Sequence, residues 1–235
     1  MNKLDVTSQI QSKEPKKIVI LGATGGIGLA LINQLIHFGH SVTGYSRQTD
    51  PSLQLENEQT ISAIAEASGN DIDWLINATG VLSDRPELPE RSLKSLNPTA
   101  MLAQFAVNAV GPALVIKHFS QRMTRHRPAL IASLSARVSS ISDNRLGGWY
   151  SYRASKAALN QIVKTASIEL KRTHPKLACV ALHPGTVATR LSEKFQPTNA
   201  RSPKDAASDL INVMEKLTAD HTGLLMDYQG QVIQW

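Results

Sequence analysis

The chain alternates short, unbroken apolar runs with longer stretches whose apolar residues recur at helical spacing. Lys17-Ile18-Val19-Ile20-Leu21 is of the first kind and predicts a strand; Ile27–Phe38 is of the second and predicts a helix that Gly39 ends. Ser41–Tyr45 predicts a second strand, Leu53–Leu55 a weak third, Thr60–Ala67 a helix and Trp74–Asn77 a fourth strand. The stretch Val81–Pro98 is polar and carries Pro86, Pro89 and Pro98, which predicts a surface excursion before helices at Met101–Val110 and Pro112–Arg125. Ala129–Leu134 follows as a fifth strand, Tyr152–Lys171 as a long helix, Leu177–Leu182 as a sixth strand, Pro203–Leu217 as a helix and Gly223–Met226 as a last strand. Strands separated by helices need right-handed crossovers, so the expected fold is α/β: a doubly wound, mostly parallel sheet of about seven strands flanked by helices.

Composition narrows the class. Of 235 residues, 42% are hydrophobic, which is ample for a core, and neither repeats nor a linker interrupt the pattern. Residues 16–235 are therefore expected to form a single domain after a polar extension, residues 1–15, that lacks the apolar middle of a secretory signal. The longest uninterrupted apolar runs, such as Ile18–Leu21 and Ala129–Ala132, fall short of the roughly 18–20 residues of a membrane span, so no membrane partner is expected. Cys179, the single cysteine, cannot form an internal disulfide and points to the cytoplasm. The net charge of +6 comes from 25 dispersed Lys and Arg, without a basic helix, and predicts no nucleic-acid partner. The histidines show no metal-ligand spacing, so no metal is expected.

The segment LGATGGIG follows a strand and opens a helix. Glycines there allow a tight turn, close approach of backbone to a pyrophosphate, and helix N–H groups aimed at the phosphates, which is the Rossmann-type dinucleotide turn. Gly22, Gly25, Gly26 and Gly28 satisfy both G-x-x-x-G-x-G and G-x-x-G-x-x-G, so spacing alone leaves the subtype open. The second strand ends Tyr45-Ser46-Arg47, with no carboxylate for free ribose hydroxyls and an arginine able to accept a 2′-phosphate; the expected cofactor is NADP(H). Tyr152 and Lys156 lie four residues apart at the start of a predicted helix and share a face. An ammonium beside a phenol favours the phenolate, so the pair is expected to lower the tyrosine pKa toward general acid–base use.

With these residues in order, the chain resembles the short-chain dehydrogenase/reductase family, of the single-domain kind, over nearly its full length. GATGGIG at residues 22–28 resembles the family's cofactor turn, Asn77-Ala78-Thr79-Gly80 its N-N-A-G segment, Asn108 in VNAVG its active-site asparagine, Tyr152–Lys156 its Y-x-x-x-K, and His183-Pro184-Gly185-Thr186-Val187 its P-G motif. The stretch ARVSSISDNRLGGWYSYRASKAALN looks most like the bacterial C-factor-type and carbonyl-reductase-like branch. The resemblance implies that Tyr152 exchanges a proton with a carbonyl or alcohol oxygen and that Lys156 binds the nicotinamide ribose. It further implies that Asn108 holds a helix kink and a relay water. It carries Gly22, Thr24, Gly26, Ile27, Gly28, Ser46, Arg47, Asn77, Ala78, Gly80, Pro184, Gly185, Val187 and Thr189, with Tyr152 and Lys156, to the cofactor cleft. It also implies a homodimer or homotetramer acting on a small carbonyl or alcohol.

The family's substrate-binding serine follows the fifth strand, commonly as the second of two adjacent serines and 13 residues before the tyrosine. Here the pair is Ser135-Ala136, and Ser139 has the 13-residue spacing. Ser135 is assigned the role, with Ser139, or no serine, as the alternatives. Two other functions are weighed beside carbonyl reduction: a nucleotide-sensing or signalling protein that binds NADP(H) with little turnover, and a nucleotide-sugar epimerase. The epimerase ranks last, because only about fifty residues follow the sixth strand.

Overall fold

A computed structural model describes residues 14–82, 89–193 and 200–235. Its strands are β1 (Lys17–Leu21), β2 (Ser41–Tyr45), β3 (Trp74–Asn77), β4 (Ala129–Leu134), β5 (Leu177–His183) and β6 (Leu225–Asp227). Its α-helices are α1 (Gly26–His37), α2 (Glu58–Ala67), α3 (Pro98–Phe105), α4 (Gly111–Ser120), α5 (Tyr150–Leu170) and α6 (Pro203–Met214). The strands pair in the order β2-β1-β3-β4-β5-β6, all parallel, in a Rossmann-type sheet.

The unbroken apolar strands follow from burial on both faces. In β1, Ile18 and Ile20 pack into one layer with Leu31 and Leu35 of α1 and Leu210 of α6, while Val19 and Leu21 pack into the other with α2, α4 and α5. β5 divides in the same way, Ala178, Val180 and Leu182 joining the first layer and Leu177, Cys179 and Ala181 the second. Because β1 has β2 on one side and β3 on the other, the strand order reverses there, and the loops after β1 and β3 leave a crevice at the carboxyl edge.

Among the described residues six strands form the sheet, where about seven were expected. Leu53–Leu55, expected as a strand, is irregular chain: Leu53 N–H donates to Ser46 O (2.9 Å) and Gln54 N–H to Thr60 Oγ1 (3.1 Å), so a turn and the first turn of α2 take the bonds a neighbouring strand would supply. The apolar signal came from burial, since Leu53 and Leu55 are core residues.

The two helices expected at Met101–Val110 and Pro112–Arg125 are one continuous element, joined by a π-helical segment at Ala106–Val110. Gly111-Pro112 does not break it, because the proline falls directly after the π-helical segment, where Gly111 N–H bonds Ala106 O five residues back. Pro98–Ser120 is thereby 23 residues long and contains an 18-residue window of mean hydropathy 1.6, long and apolar enough by those measures to cross a membrane. The expectation that no stretch reaches that length is corrected accordingly; it considered only unbroken runs. In the fold, Val115, Ile116 and Phe119 of this element are buried in the core. Residues 1–13 of the expected extension, Pro86, and residues 194–199 lie outside the described residues.

Phe119 is fully buried. Phe119→Ala is expected to lower stability by about 3–5 kcal/mol in a denaturant titration; a loss below about 1 kcal/mol would contradict its place in the core.

Candidate active site

Gly22 leaves β1 at φ +89°, and the N–H groups of Gly22 and Ala23 donate to Tyr45 O at 2.8 and 3.0 Å, which ties the turn to β2. A Cβ at Gly28 would lie 2.2 Å from Gly22 O, one at Gly22 2.9 Å from the Ala78 carbonyl, and one at Gly26 2.8 Å from Thr189 Cγ2. At Gly25 the nearest contact would be 3.2 Å. The close approaches thus fall at positions 22, 26 and 28, the G-x-x-x-G-x-G spacing. Helix α1 starts there with no side-chain cap and no acidic residue in its first turn, which leaves its N–H groups facing outward beside exposed Thr24. Ile27 packs against the core and holds the helix down.

Beside this turn, Ser46 is buried and its Oγ accepts from Gln48 N–H (3.1 Å), while Arg47 is exposed. The Arg47 guanidinium makes no hydrogen bond or ion pair among the described residues; its carbonyl accepts from Ser52 Oγ at 3.0 Å. On the other side of β1, buried Asn77 accepts from Thr79 N–H (3.2 Å) and Thr79 Oγ1 (2.5 Å), and Ala78 N–H donates to Leu21 O (2.8 Å). Gly80 then passes so near α5 that a Cβ would lie 3.3 Å from both Asn108 Oδ1 and Lys156 Nζ. After β5, Gly185 turns at φ +80°, Val187 bridges to Arg201, and Thr189 reaches Gly26. Burial, with a contribution from Arg137, holds the preceding His183 down at about 4.

Asn108 sits in the π-helical segment, fully buried. Its Oδ1 accepts from Val81 N–H (2.9 Å), and its Nδ2 donates to Val81 O (2.8 Å) and Ser155 Oγ (3.1 Å). The extra residue in that turn aims the amide at α5, as π-bulges do at functional positions. Lys156 Nζ donates to Leu134 O at 2.9 Å, and the Tyr152 hydroxyl makes no hydrogen bond among the described residues. Burial pushes the Tyr152 phenol up to about 12 and the Lys156 ammonium down to about 8. The expected lowering of the tyrosine by its lysine is therefore corrected for the chain alone: desolvation by burial disfavours the charged form of both groups.

The Ser135 hydroxyl is bonded to Asn160 rather than to Tyr152 or Lys156. Its Oγ donates to Asn160 Oδ1 (2.7 Å), Asn160 Nδ2 donates to Ser139 Oγ (2.6 Å), and Ser139 Oγ donates to Ala136 O (2.5 Å). The residue packed with Tyr152 is Ala136, in a cluster with Leu82, Val138 and Trp149. Asn160 went unnoticed in the sequence, although Tyr152, Lys156 and Asn160 recur every four residues on one helix face. Glu90 was missed as well: its carboxylate accepts from Ser151 Oγ and N–H, and its carbonyl from Trp149 N–H (2.5 Å), which fixes the first turn of α5. No local pattern announces that contact, because sixty-one residues separate Glu90 from Ser151.

A parallel sheet with a glycine turn at its reversal point, and a buried Tyr-x-x-x-Lys pair beside it, define the class as Rossmann-type α/β proteins. Within that class the chain belongs to the short chain dehydrogenase family, whose model matches residues 48–200, a family of oxidoreductases. The chain is 27% identical to 1-hydroxy-2-glutathionyl-2-methyl-3-butene dehydrogenase of Rhodococcus sp. strain AD45, over 93% of this chain and 99% of that protein. It is 30% identical to C-signal of Myxococcus xanthus, over 70% of this chain and 93% of the relative. An NADPH-bound carbonyl reductase from chicken fatty liver shares the fold with a TM-score of 0.81 at 23% identity, over 95% of this chain and all (100%) of that one.

Lys156 titrates near 8 in the fold and 10.5 ordinarily, so between those values the unfolded chain binds more protons and stability rises with pH. Above about 10 the raised Tyr152 works in the opposite direction. The protein alone should gain stability from about pH 8 to 10, and Lys156→Met should lack that gain in denaturant titrations; parallel profiles for the two proteins would refute the buried, destabilised ammonium.

Proposed function

We propose that the chain is an NADP(H)-dependent oxidoreductase that moves a hydride between nicotinamide and a carbonyl or alcohol carbon, with Tyr152 as general acid or base. The observation that carries this reading is that buried Asn108 and Lys156 meet at Gly80 on the crevice edge, with buried Tyr152 one helical turn before Lys156 on α5. The cradle fits a dinucleotide: Cβ atoms at Gly22, Gly26 and Gly28 would fill it, and the first turn of α1 is left uncapped beside it. Gly22, Thr24, Gly26, Ile27 and Gly28 would receive the pyrophosphate, Ser46 and Arg47 the 2′-phosphate, Asn77, Ala78 and Gly80 the middle of the cofactor. Pro184, Gly185, Val187 and Thr189 would hold its nicotinamide end. The bound nicotinamide supplies or accepts the hydride.

Tyr152 then has one task, to give the substrate oxygen a proton in reduction or remove one in oxidation. Its hydroxyl is not committed to any described residue, and Lys156 beside it keeps an ammonium near the phenol while one N–H stays on Leu134 O. Asn108 keeps both partners in place by joining Val81 to Ser155, the residue between them on α5. The same proposal includes a single domain from residue 16 to the end, a cytoplasmic location and a homodimer or homotetramer. Its second copy would cover the groove of about 460 Å³ between α4 and α5, lined by Ile116, Ile162, Ala166 and Leu170.

A second reading, a binding or signalling protein with little turnover, has one observation in its favour: both candidate serine hydroxyls are taken up by the Asn160 network. Incubation with NADPH and a panel of aldehydes and ketones separates the two readings. Turnover is expected, with Tyr152→Phe slower by about 10²-fold or more; NADPH binding without turnover on any compound would sink the enzyme reading. Arg47→Ala is expected to weaken NADPH binding about 10-fold or more while sparing NADH. Equal losses for both cofactors would refute the phosphate contact.

A further inference from the structure

Carbonyl reduction builds negative charge on the substrate oxygen, and hydrogen-bond donors already aimed at that oxygen speed the reaction. Around Tyr152 such donors are scarce. Leu82, Ala136 and Val138 of the surrounding cluster have no side-chain donor, and Trp149 meets the tyrosine edge-on at 6.2 Å. A serine hydroxyl has one proton, and each described serine around the pair has spent it. Ser135 gives its proton to Asn160, Ser139 to Ala136 O, Ser140 to Gln234 O, Ser151 to Glu90 and Ser155 to Tyr152 O. Ser135, Ser139 and Asn160 are each at most 5% exposed, so water does not compete for these bonds. The Asn108 amide is likewise committed, to Val81 O and Ser155.

The geometry points to a site in which no serine hydroxyl among the described residues is left to join the Tyr152 O–H on the substrate oxygen, and hence to a specificity for intrinsically electrophilic carbonyls, namely aldehydes and 1,2-diketones, with an apolar flank. This inference rests on the oxidoreductase reading above and adds the substrate class. In the reaction, hydride bonds to the carbonyl carbon, the C=O π pair moves to oxygen, and that oxygen takes the Tyr152 proton. The carbonyl is reduced to an alcohol, the reduced nicotinamide is oxidised, and solvent returns the proton to the phenolate. A neighbouring carbonyl, or a hydrogen in place of a second alkyl group, stabilises the developing alkoxide from within the substrate and replaces the missing donor. A simple dialkyl ketone has no such help, and absence of one oxyanion donor costs about 10²–10³ in turnover. Leu82, Val138 and Trp149 provide the apolar wall for the flank.

Ala136→Ser places a hydroxyl on that wall, and the readout is the ratio of kcat/KM for 1,2-diketones to that for dialkyl ketones of equal size. The wild type is expected to prefer the diketone by about 10²-fold or more, and Ala136→Ser to raise dialkyl-ketone turnover about 10-fold or more, which shrinks the ratio. Ser135→Ala is expected to lower the melting temperature and leave the ratio as it was. A wild type that reduces both classes alike, an Ala136→Ser variant that folds and binds NADPH but gains nothing, or a ratio altered by Ser135→Ala would each overturn the inference. Failure of the oxidoreductase reading looks different. A wild type that binds NADPH without turnover on any compound ends that reading and the inference with it, whereas a wild type that turns over both carbonyl classes alike ends the inference alone.

Discussion

The Asn108 side chain is the constraint on which the site depends. Fully buried in a π-helical turn, it spends both amide protons and its oxygen on Val81 and Ser155, and so joins the loop after β3, the π-helical segment between α3 and α4, and the first turns of α5. An unsatisfied amide in that interior would cost about 1–3 kcal/mol, so the three elements keep one mutual arrangement. That arrangement decides how near Gly80 comes to Lys156 and where the phenol of Tyr152 stands. The sheet provides the crevice, and Asn108 provides its register with α5.

Burial is the second organising force, and it acts against charge. It holds the Tyr152 phenol neutral and makes the Lys156 ammonium easier to deprotonate. The phenol is therefore neutral in the chain alone, the form that the proposed carbonyl reduction asks of a proton donor. The same dry surroundings explain the serine network: a hydroxyl without a partner is costly there, and Asn160 satisfies two of them at once.

Much of this was legible in the sequence, for reasons that differ by element. Strands buried on both faces announce themselves as apolar runs, and the glycine turn and the Tyr152–Lys156 spacing are local patterns tied to local geometry. Leu53–Leu55 misled because burial leaves the same apolar mark whether or not a neighbouring strand is present. The π-helical turn left no mark that separates it from a break at Gly111-Pro112. The destinations of Ser135 and Ser139 depend on Asn160, one further turn along α5 from Lys156, and on how closely that helix approaches β4. Glu90 reaches Ser151 only through tertiary packing, which no window along the chain contains.

The central claim is that a hydride passes from nicotinamide to a carbonyl carbon held at Tyr152. Incubation with NADPH deuterated at C4 and an aromatic 1,2-diketone, with mass spectrometry of the product, tests it most directly. The account predicts a hydroxyketone carrying one carbon-bound deuterium when the transferred face is labelled, and none when the opposite face is. No alcohol product, or a product without deuterium from either labelled face, would contradict it.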